Sequence, residues 1–260
     1  MSFLGDILSR KAAEVAERRR RLPERELIAR AAGLPAPRSL AEALSSRGGP
    51  TRIVAEVKRA SPSAGDLAAG LDAPAQASRY AAGGAAAVSI LTDGPGFGGA
   101  LEDLTAARKQ VELPLLRKDF VIDRYQLLEA RLAGADAALL IVAALSEDGL
   151  GGLVEDCAAL QLTPLVEVHD EWEVEAALAA GAQVVGVNNR NLKNFKVDLA
   201  VSERLLPMLP ESVKAVTESG VRGADEVRRL RAAGAANFLV GEALVRAADP
   251  AALLKELLEA

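Results

Sequence analysis

From residue 50 onward the chain alternates short, β-rich apolar runs with longer stretches whose apolar positions recur at helical spacing. That alternation is the mark of βα units and of a parallel sheet. The apolar runs predict eight strands, near 52–57, 86–91, 114–119, 137–142, 164–168, 183–188, 213–218 and 237–241. Between and after them the spacing predicts helices near 72–82, 100–110, 124–133, 147–160, 171–180, 198–206, 223–233 and 242–258. Gly83, Gly134, Gly181 and Gly234 follow Ala-Ala or Leu-Ala and are read as the C′ residues ending four of these helices. Eight units with no central linker favour a closed α/β architecture, a (β/α)8 or TIM barrel, over an open doubly wound sheet.

Residues 1–50 precede the repeats and are read as an N-terminal helical extension of a single barrel domain spanning 1–260. Leu4, Ile7, Leu8, Ala12 and Val15 trace a helical stripe, and 30–50 is a Gly/Pro-punctuated connection. A helix plugging one barrel mouth is the favoured reading of this extension. A lid that contributes to substrate binding is the alternative.

The strand runs turn polar at their C-terminal ends. Side chains alternate faces along a strand, so Glu56 and Lys58 share a face with Val54, and Lys118 shares one with Leu116 and Phe120. Glu167 closes the fifth run, Asn188 and Arg190 share a face on the sixth, and Glu218 closes the seventh. In a barrel these ends open at one face, and alternate strands supply one interior layer. Charges inside apolar strands are costly unless paired, so a ring of them reads as chemistry rather than stability. Such a cluster offers general acid/base catalysis on an anionic substrate, or a Schiff-base lysine. Two nearby lysines are expected to lower one another's proton affinity, with the carboxylates opposing that shift.

An anion site is expected separately at the seventh and eighth units. Ser219-Gly220 follows one strand, and Gly241-Glu242 leads from the last strand into a helix, so backbone N–H groups can hold a phosphate there. Ser61 and Ser63 offer hydroxyls. Glu242 is acidic beside this site, and its side chain is expected to point away.

A length of 260 residues suits a barrel of this kind, and 50% hydrophobic with only 3% aromatic residues means a core of Ala, Val, Leu and Ile. A net charge of −5 argues against nucleic acid or an anionic membrane as partner. The lone cysteine, Cys157, excludes an internal disulfide or a multi-cysteine metal site and is expected in the core. The N-terminus shows no signal-peptide h-region, and no 18-residue apolar run occurs, which points to a cytoplasmic protein. Among the remaining residues, His169 is read as structural, Asp170 as the cap of the following helix, and Trp172 as packed on a neighbouring helix. Arg18 to Arg21 are read as a solvated helix end.

The strings Glu56-Val57-Lys58-Arg59-Ala60-Ser61-Pro62-Ser63, Leu91-Thr92-Asp93 with Phe97, Leu116-Arg117-Lys118-Asp119-Phe120, Val187-Asn188-Asn189-Arg190-Asn191-Leu192 and Glu218-Ser219-Gly220 together resemble the indole-3-glycerol phosphate synthases of tryptophan biosynthesis. The resemblance covers nearly the whole chain, including the extra N-terminal helix. It implies conversion of 1-(2-carboxyphenylamino)-1-deoxyribulose 5-phosphate to indole-3-glycerol phosphate, CO2 and water, with no metal or organic cofactor and the phosphorylated aromatic substrate as sole partner. By the same resemblance Lys118 is the general acid, Glu167 a base, Glu56 and Lys58 a second acid/base pair, and Glu218 and Asn188 orienting groups. Lys58 and Arg190 are candidates for the substrate carboxylate. Phe97, Phe120, Leu139 and Leu192 would take its ring, and Ser219, Gly220, Gly241 and Glu242 its phosphate. That family often has serine or threonine where Glu242 stands, so only the backbone contact is carried over there. A monomer is expected. The alternatives are a related phosphate-binding barrel such as a phosphoribosylanthranilate isomerase, for which Cys157 lies on the wrong kind of element, and a non-catalytic barrel binding phosphorylated aromatics.

Overall fold

A computed structural model describes residues 3–260. Among these, eight parallel strands close on themselves: β1 (Arg52–Val57), β2 (Ala87–Leu91), β3 (Leu115–Lys118), β4 (Ala137–Ile141), β5 (Thr163–Val168), β6 (Val184–Asn188), β7 (Lys214–Glu218) and β8 (Asn237–Val240). Each strand pairs with the next in sequence, and β8 returns to β1 through the register Val54 to Leu239 and Ala55 to Val240. The fold is a (β/α)8 barrel, and the predicted strands match it within a residue or two.

Alternation along each strand divides the core in two. Val54, Leu116, Leu139, Leu165, Val184 and Leu239 fill the barrel interior, whereas Ile53, Ala55, Val88, Leu115, Val166 and Val185 face the surrounding helices. Burying each Leu, Ile or Val side chain contributes about 1.5–3 kcal/mol, enough for a core with almost no aromatics. The helices outside are α4 (Ala73–Ala82), α5 (Leu101–Arg108), α6 (Arg124–Leu132), α7 (Glu147–Ala159), α8 (Glu171–Ala179), α9 (Ala200–Leu205), α10 (Ala224–Ala232), α11 (Glu242–Arg246) and α12 (Pro250–Glu259). Side chains of Asp72, Asp123, Ser146 and Asp170 accept first-turn N–H groups of α4, α6, α7 and α8, each such cap being worth about 1 kcal/mol.

Two predicted boundaries change. The single helix expected over 242–258 is two helices, because Pro250 lacks an N–H and Asp249 turns its carboxylate onto the N–H groups of Ala251 and Ala252 to begin a new one. The C′ role expected of Gly83 belongs to Gly84, at φ +89°. Gly83 is instead the C-cap residue that directly follows α4, at φ −79°, and a Cβ on it would come within 2.9 Å of Leu254 on α12.

The N-terminal extension does two jobs at opposite ends of the barrel. Helices α1 (Phe3–Arg21) and α2 (Glu24–Ala31) pack on α6, with Val15, Leu27, Tyr125 and Leu128 in one cluster. The plug is the later segment: Leu40 on α3 (Leu40–Ala43) and Leu44 just after it join the barrel-interior cluster. Asn237, at the start of β8, fixes this segment by accepting the Ser45 N–H and donating to the Ser45 carbonyl. Helix α1 reaches the other mouth, where the strands end.

Candidate active site

At the C-terminal mouth lies a cavity of about 560 Å³, and the residues expected from the sequence to act in catalysis or to bind substrate all line it. Glu56, Lys58, Lys118, Glu167, Asn188 and Glu218 form its floor at the strand ends. Phe97 and Phe120 form an apolar wall with ring centroids 6.0 Å apart, joined by Leu139 and Leu192. Ser61, Arg190, Ser219, Gly220, Gly241 and Glu242 complete the rim.

The floor is built on one lysine. Lys118 Nζ lies 3.2 Å from Glu167 Oε2 and 3.2 Å from Glu218 Oε2, so β3, β5 and β7 supply one interior layer as alternate strands should. Burial acts against its charge, but Glu167, Glu218 and Glu56 outweigh it and hold the Lys118 ammonium well above the ordinary lysine range. This corrects the expected mutual depression of two lysines. Lys58 is turned to Glu56 of its own strand at 2.6 Å, so each lysine has carboxylate company.

The two carboxylates on Lys118 differ from one another. Burial favours the neutral form of Glu167, but the Lys118 charge and the neighbouring His169 prevail and keep it ionised well below the usual carboxylate range. Glu218 is pushed up to about 8 by burial, reinforced by the charges of Glu167 and Glu56 and only partly opposed by Lys118. Its Oε1 is buried without a hydrogen-bond partner, an arrangement that a neutral carboxyl tolerates better than a carboxylate. Gly186 on β6 makes room for this oxygen, since a Cβ there would sit 2.2 Å from Glu218 Oε1. Gly186→Ala is therefore expected to displace Glu218 from Lys118, lowering kcat by about tenfold and stability by about 1–3 kcal/mol. Steady-state rates on the folded variant, with its denaturant midpoint, check both figures.

His169, read as structural, stands between two carboxylates. Its Nδ1 is 3.0 Å from Glu173 and its Nε2 3.4 Å from Glu167 Oε1. Burial works against its charge, but these two partners raise it to about 10, so it is an imidazolium beside Glu167 at neutral pH. Asn188 accepts the Arg190 N–H, and the Arg190 guanidinium donates to Ser63 Oγ at 3.0 Å, closing the rim across the mouth.

At the seventh and eighth strands the chain turns sharply. Ser219 and Gly220 are both left-handed, at φ +63° and +92°, and a Cβ on Gly220 would strike Leu199 and Val197 at 2.7 and 2.9 Å. Successive turns of this sort leave N–H groups free to face an anion. Gly241 is tight for another reason, since a Cβ there would approach Glu56 Oε1 at 2.3 Å. Glu242 pairs along α11 with Arg246 at 3.2 Å, and both residues line the cavity.

The sequence reading missed several lining residues. Arg222 and Arg246 bring cations to the rim where few were expected, and Phe3 and Leu4 of α1 line the cavity, Phe3 packing edge-on against Phe195 at 5.0 Å. Asp93 and Asp119, quoted only as parts of strings, are buried ion-pair partners of Lys11. A usable signal existed: Lys11 sits four residues from both Ile7 and Val15, a charge inside an apolar stripe like those in the strands. Two readings are corrected. Trp172 is 56% exposed in the first turn of α8 rather than packed on a neighbouring helix. Of the arginine run, Arg20 and Arg21 are solvated, but Arg18 pairs with Glu129, and Arg19 pairs with Asp123 and lies over the Tyr125 ring, fastening α1 to α6. Cys157 is fully buried, as expected.

Comparison with known proteins places this geometry. A family model described as "Indole-3-glycerol phosphate synthase" matches residues 4–257. An indole-3-glycerol phosphate synthase of Streptomyces griseus is 48% identical over 260 residues, covering 100% of this chain and 96% of that one. One from Desulfosudis oleivorans is 48% identical over 259 residues, covering 98% of each. Among solved structures, a 3-hexulose-6-phosphate synthase from Salmonella typhimurium superimposes with a TM-score of 0.64 at 15% identity, over 80% of this chain and 97% of that one. That likeness is one of fold.

Proposed function

The chain belongs to the indole-3-glycerol phosphate synthase family, and from that premise we propose how its strand-end charges divide the reaction among them. The activity is that of a carboxy-lyase in tryptophan biosynthesis: 1-(2-carboxyphenylamino)-1-deoxyribulose 5-phosphate closes to indole-3-glycerol phosphate, losing CO2 and water. An isomerase or a non-catalytic barrel is not favoured.

The substrate's phosphate lies at the Ser219-Gly220 turn and the Gly241-Glu242 backbone, with Ser61 across the rim and Arg222 and Arg246 adding positive field. Its aromatic ring rests against Phe97, Phe120, Leu139 and Leu192, and its carboxylate meets Lys58 and Arg190. Lys118 donates a proton to the ribulose carbonyl oxygen as the ring carbon bearing the carboxylate attacks the carbonyl carbon. One carbon–carbon bond forms, and the former carbonyl becomes a hydroxyl. Departure of CO2 returns the bonding pair to the ring and restores its aromaticity. Loss of that hydroxyl as water then needs an acid at oxygen and a base for a proton on the new ring. Glu167, kept ionised by Lys118 and His169, serves as the base, with Glu56 and Lys58 as the second acid/base pair and Glu218 and Asn188 orienting the lysine and substrate hydroxyls.

The observation that carries this reading is the placement of Lys118 between Glu167 and Glu218, within a cavity lined by the apolar Phe97–Phe120 wall and by the left-handed Ser219-Gly220 turn. Incubation with the carboxyphenylamino ribulose phosphate is expected to yield indole fluorescence and one CO2 per turnover. Binding without turnover would sink the catalytic reading. A monomer acting in the cytoplasm is proposed with it; among the described residues no helix is long and apolar enough to cross a membrane.

A further inference from the structure

Helix α1 lies outside the eight βα units, yet its Lys11 is only 2% exposed. Lys11 Nζ stands 2.6 Å from Asp93 Oδ1 and 2.8 Å from Asp119 Oδ1, with Glu14 of its own helix at 3.2 Å. The two aspartates follow the neighbouring strands β2 and β3, and each side chain is 1% exposed. Buried carboxylates this close coexist as anions when a cation stands between them.

Each aspartate is also the root of a segment that builds the site. The Asp93 carbonyl accepts the Gly99 N–H, closing the turn that carries Phe97. Asp119 follows Lys118 directly, and its Oδ1, the oxygen on Lys11, accepts the Phe120 N–H at 2.8 Å. Neighbouring arginines each serve one aspartate only. Arg10 holds Asp93 through both oxygens, at 2.9 and 3.0 Å, and Arg117 holds Asp119 at 2.9 Å. Among the described residues, Lys11 is the side chain with a salt bridge to both.

We infer that Lys11 is a positioning residue for the reaction: by clamping Asp93 to Asp119 from outside the barrel, it fixes the strand end that presents Lys118 and the Phe97–Phe120 wall facing it. Without the clamp the two segments part, and a shift near 1 Å at a proton donor costs about 10² in rate.

The inference rests on Lys118 as the general acid, so the test pairs the two lysines in the full chain. Lys11→Met, assayed well below its Tm with the native circular dichroism spectrum verified, is expected to lose at least about tenfold in kcat with KM changed less than about threefold. Lys11→Arg, which keeps the charge, is expected to recover most of that loss. Arg10→Gln removes a pair to the same Asp93 and is expected to lower Tm while leaving kcat within about twofold. Should Lys11→Met not fold, Lys11→Gln takes its place in the same assay. Wild-type kcat in a folded, destabilised Lys11 variant would make Lys11 an anchor only and overturn the inference, as would failure of arginine to restore the rate. A slow Lys118→Ala beside a fast Lys11→Met overturns this inference alone; a fast Lys118→Ala overturns the assignment beneath it.

Discussion

Lys118→Ala is expected to lower kcat by about 10² or more while the protein still binds the phosphorylated substrate. The ribulose carbonyl becomes a hydroxyl in the ring-closing step, and a proton must reach its oxygen as negative charge develops there. Lys118 is the donor whose surroundings keep the proton in place, with Glu167 and Glu218 each 3.2 Å from its ammonium. Truncation also leaves those two buried carboxylates without their shared cation. Glu218, already pushed up to about 8 by burial and by its carboxylate neighbours, then rises further because the one opposing charge has gone. Glu167 loses the largest influence that holds it ionised, so the base of the dehydration step weakens too. The loss therefore falls on kcat rather than KM, since the phosphate turn and the aromatic wall do not depend on this side chain. Steady-state kinetics with equilibrium binding of the substrate separates the two, and near-normal turnover would remove Lys118 from the role.

Much of this site was legible because the rule that builds a parallel barrel is local. Buried on both faces, its strands read as continuous apolar runs, so a charge within one, as at Glu56 or Glu167, stands out without any knowledge of its partner. Alternation then places Lys118, Glu167 and Glu218 in one layer by counting strands. Partners were another matter. Lys58 and Lys118 share a mouth, but whether they face one another or separate carboxylates depends on stagger and rotamer, which periodicity does not encode. Gly186 sits inside β6 with nothing local to mark it, and only the three-dimensional approach of Glu218 gives it a reason; the approach of Glu56 gives Gly241 a second reason beside the anion site expected from the sequence. The break at Asp249-Pro250 was visible as a cap followed by proline, yet the apolar spacing ran through it. Trp172 shows the converse failure: a large apolar side chain implies burial, but in the first turn of α8 it stays 56% exposed.

Arg117→Met is expected to destabilise the fold by about 3–5 kcal/mol and to lower Tm by roughly 10 °C. Arg117 points outward from β3 and is 1% exposed. Its guanidinium donates to Asp119 at 2.9 Å, to Glu129 at 3.4 Å, to Thr92 Oγ1 at 3.2 Å and to the Gln126 carbonyl at 2.6 Å. Methionine fills the space but satisfies none of these groups, leaving Glu129 to Arg18 and Asp119 to Lys11. The pH dependence identifies the cause. Burial would raise the Asp119 carboxyl, but Arg117 first and then Lys11 hold it well below the usual carboxylate range. A depressed carboxylate contributes stability that is present above its unfolded value and lost as pH falls through its folded value. Wild type keeps that contribution through mild acid, whereas the variant, with Asp119 restored toward ordinary values, has already lost much of it at neutral pH. The gap between the two proteins should therefore be full near pH 7 and narrow in strong acid, below the ordinary carboxylate range. Urea titrations across that range decide it: a gap independent of pH would assign the loss to packing, and no gap at neutral pH would remove the ionic network from the account of stability.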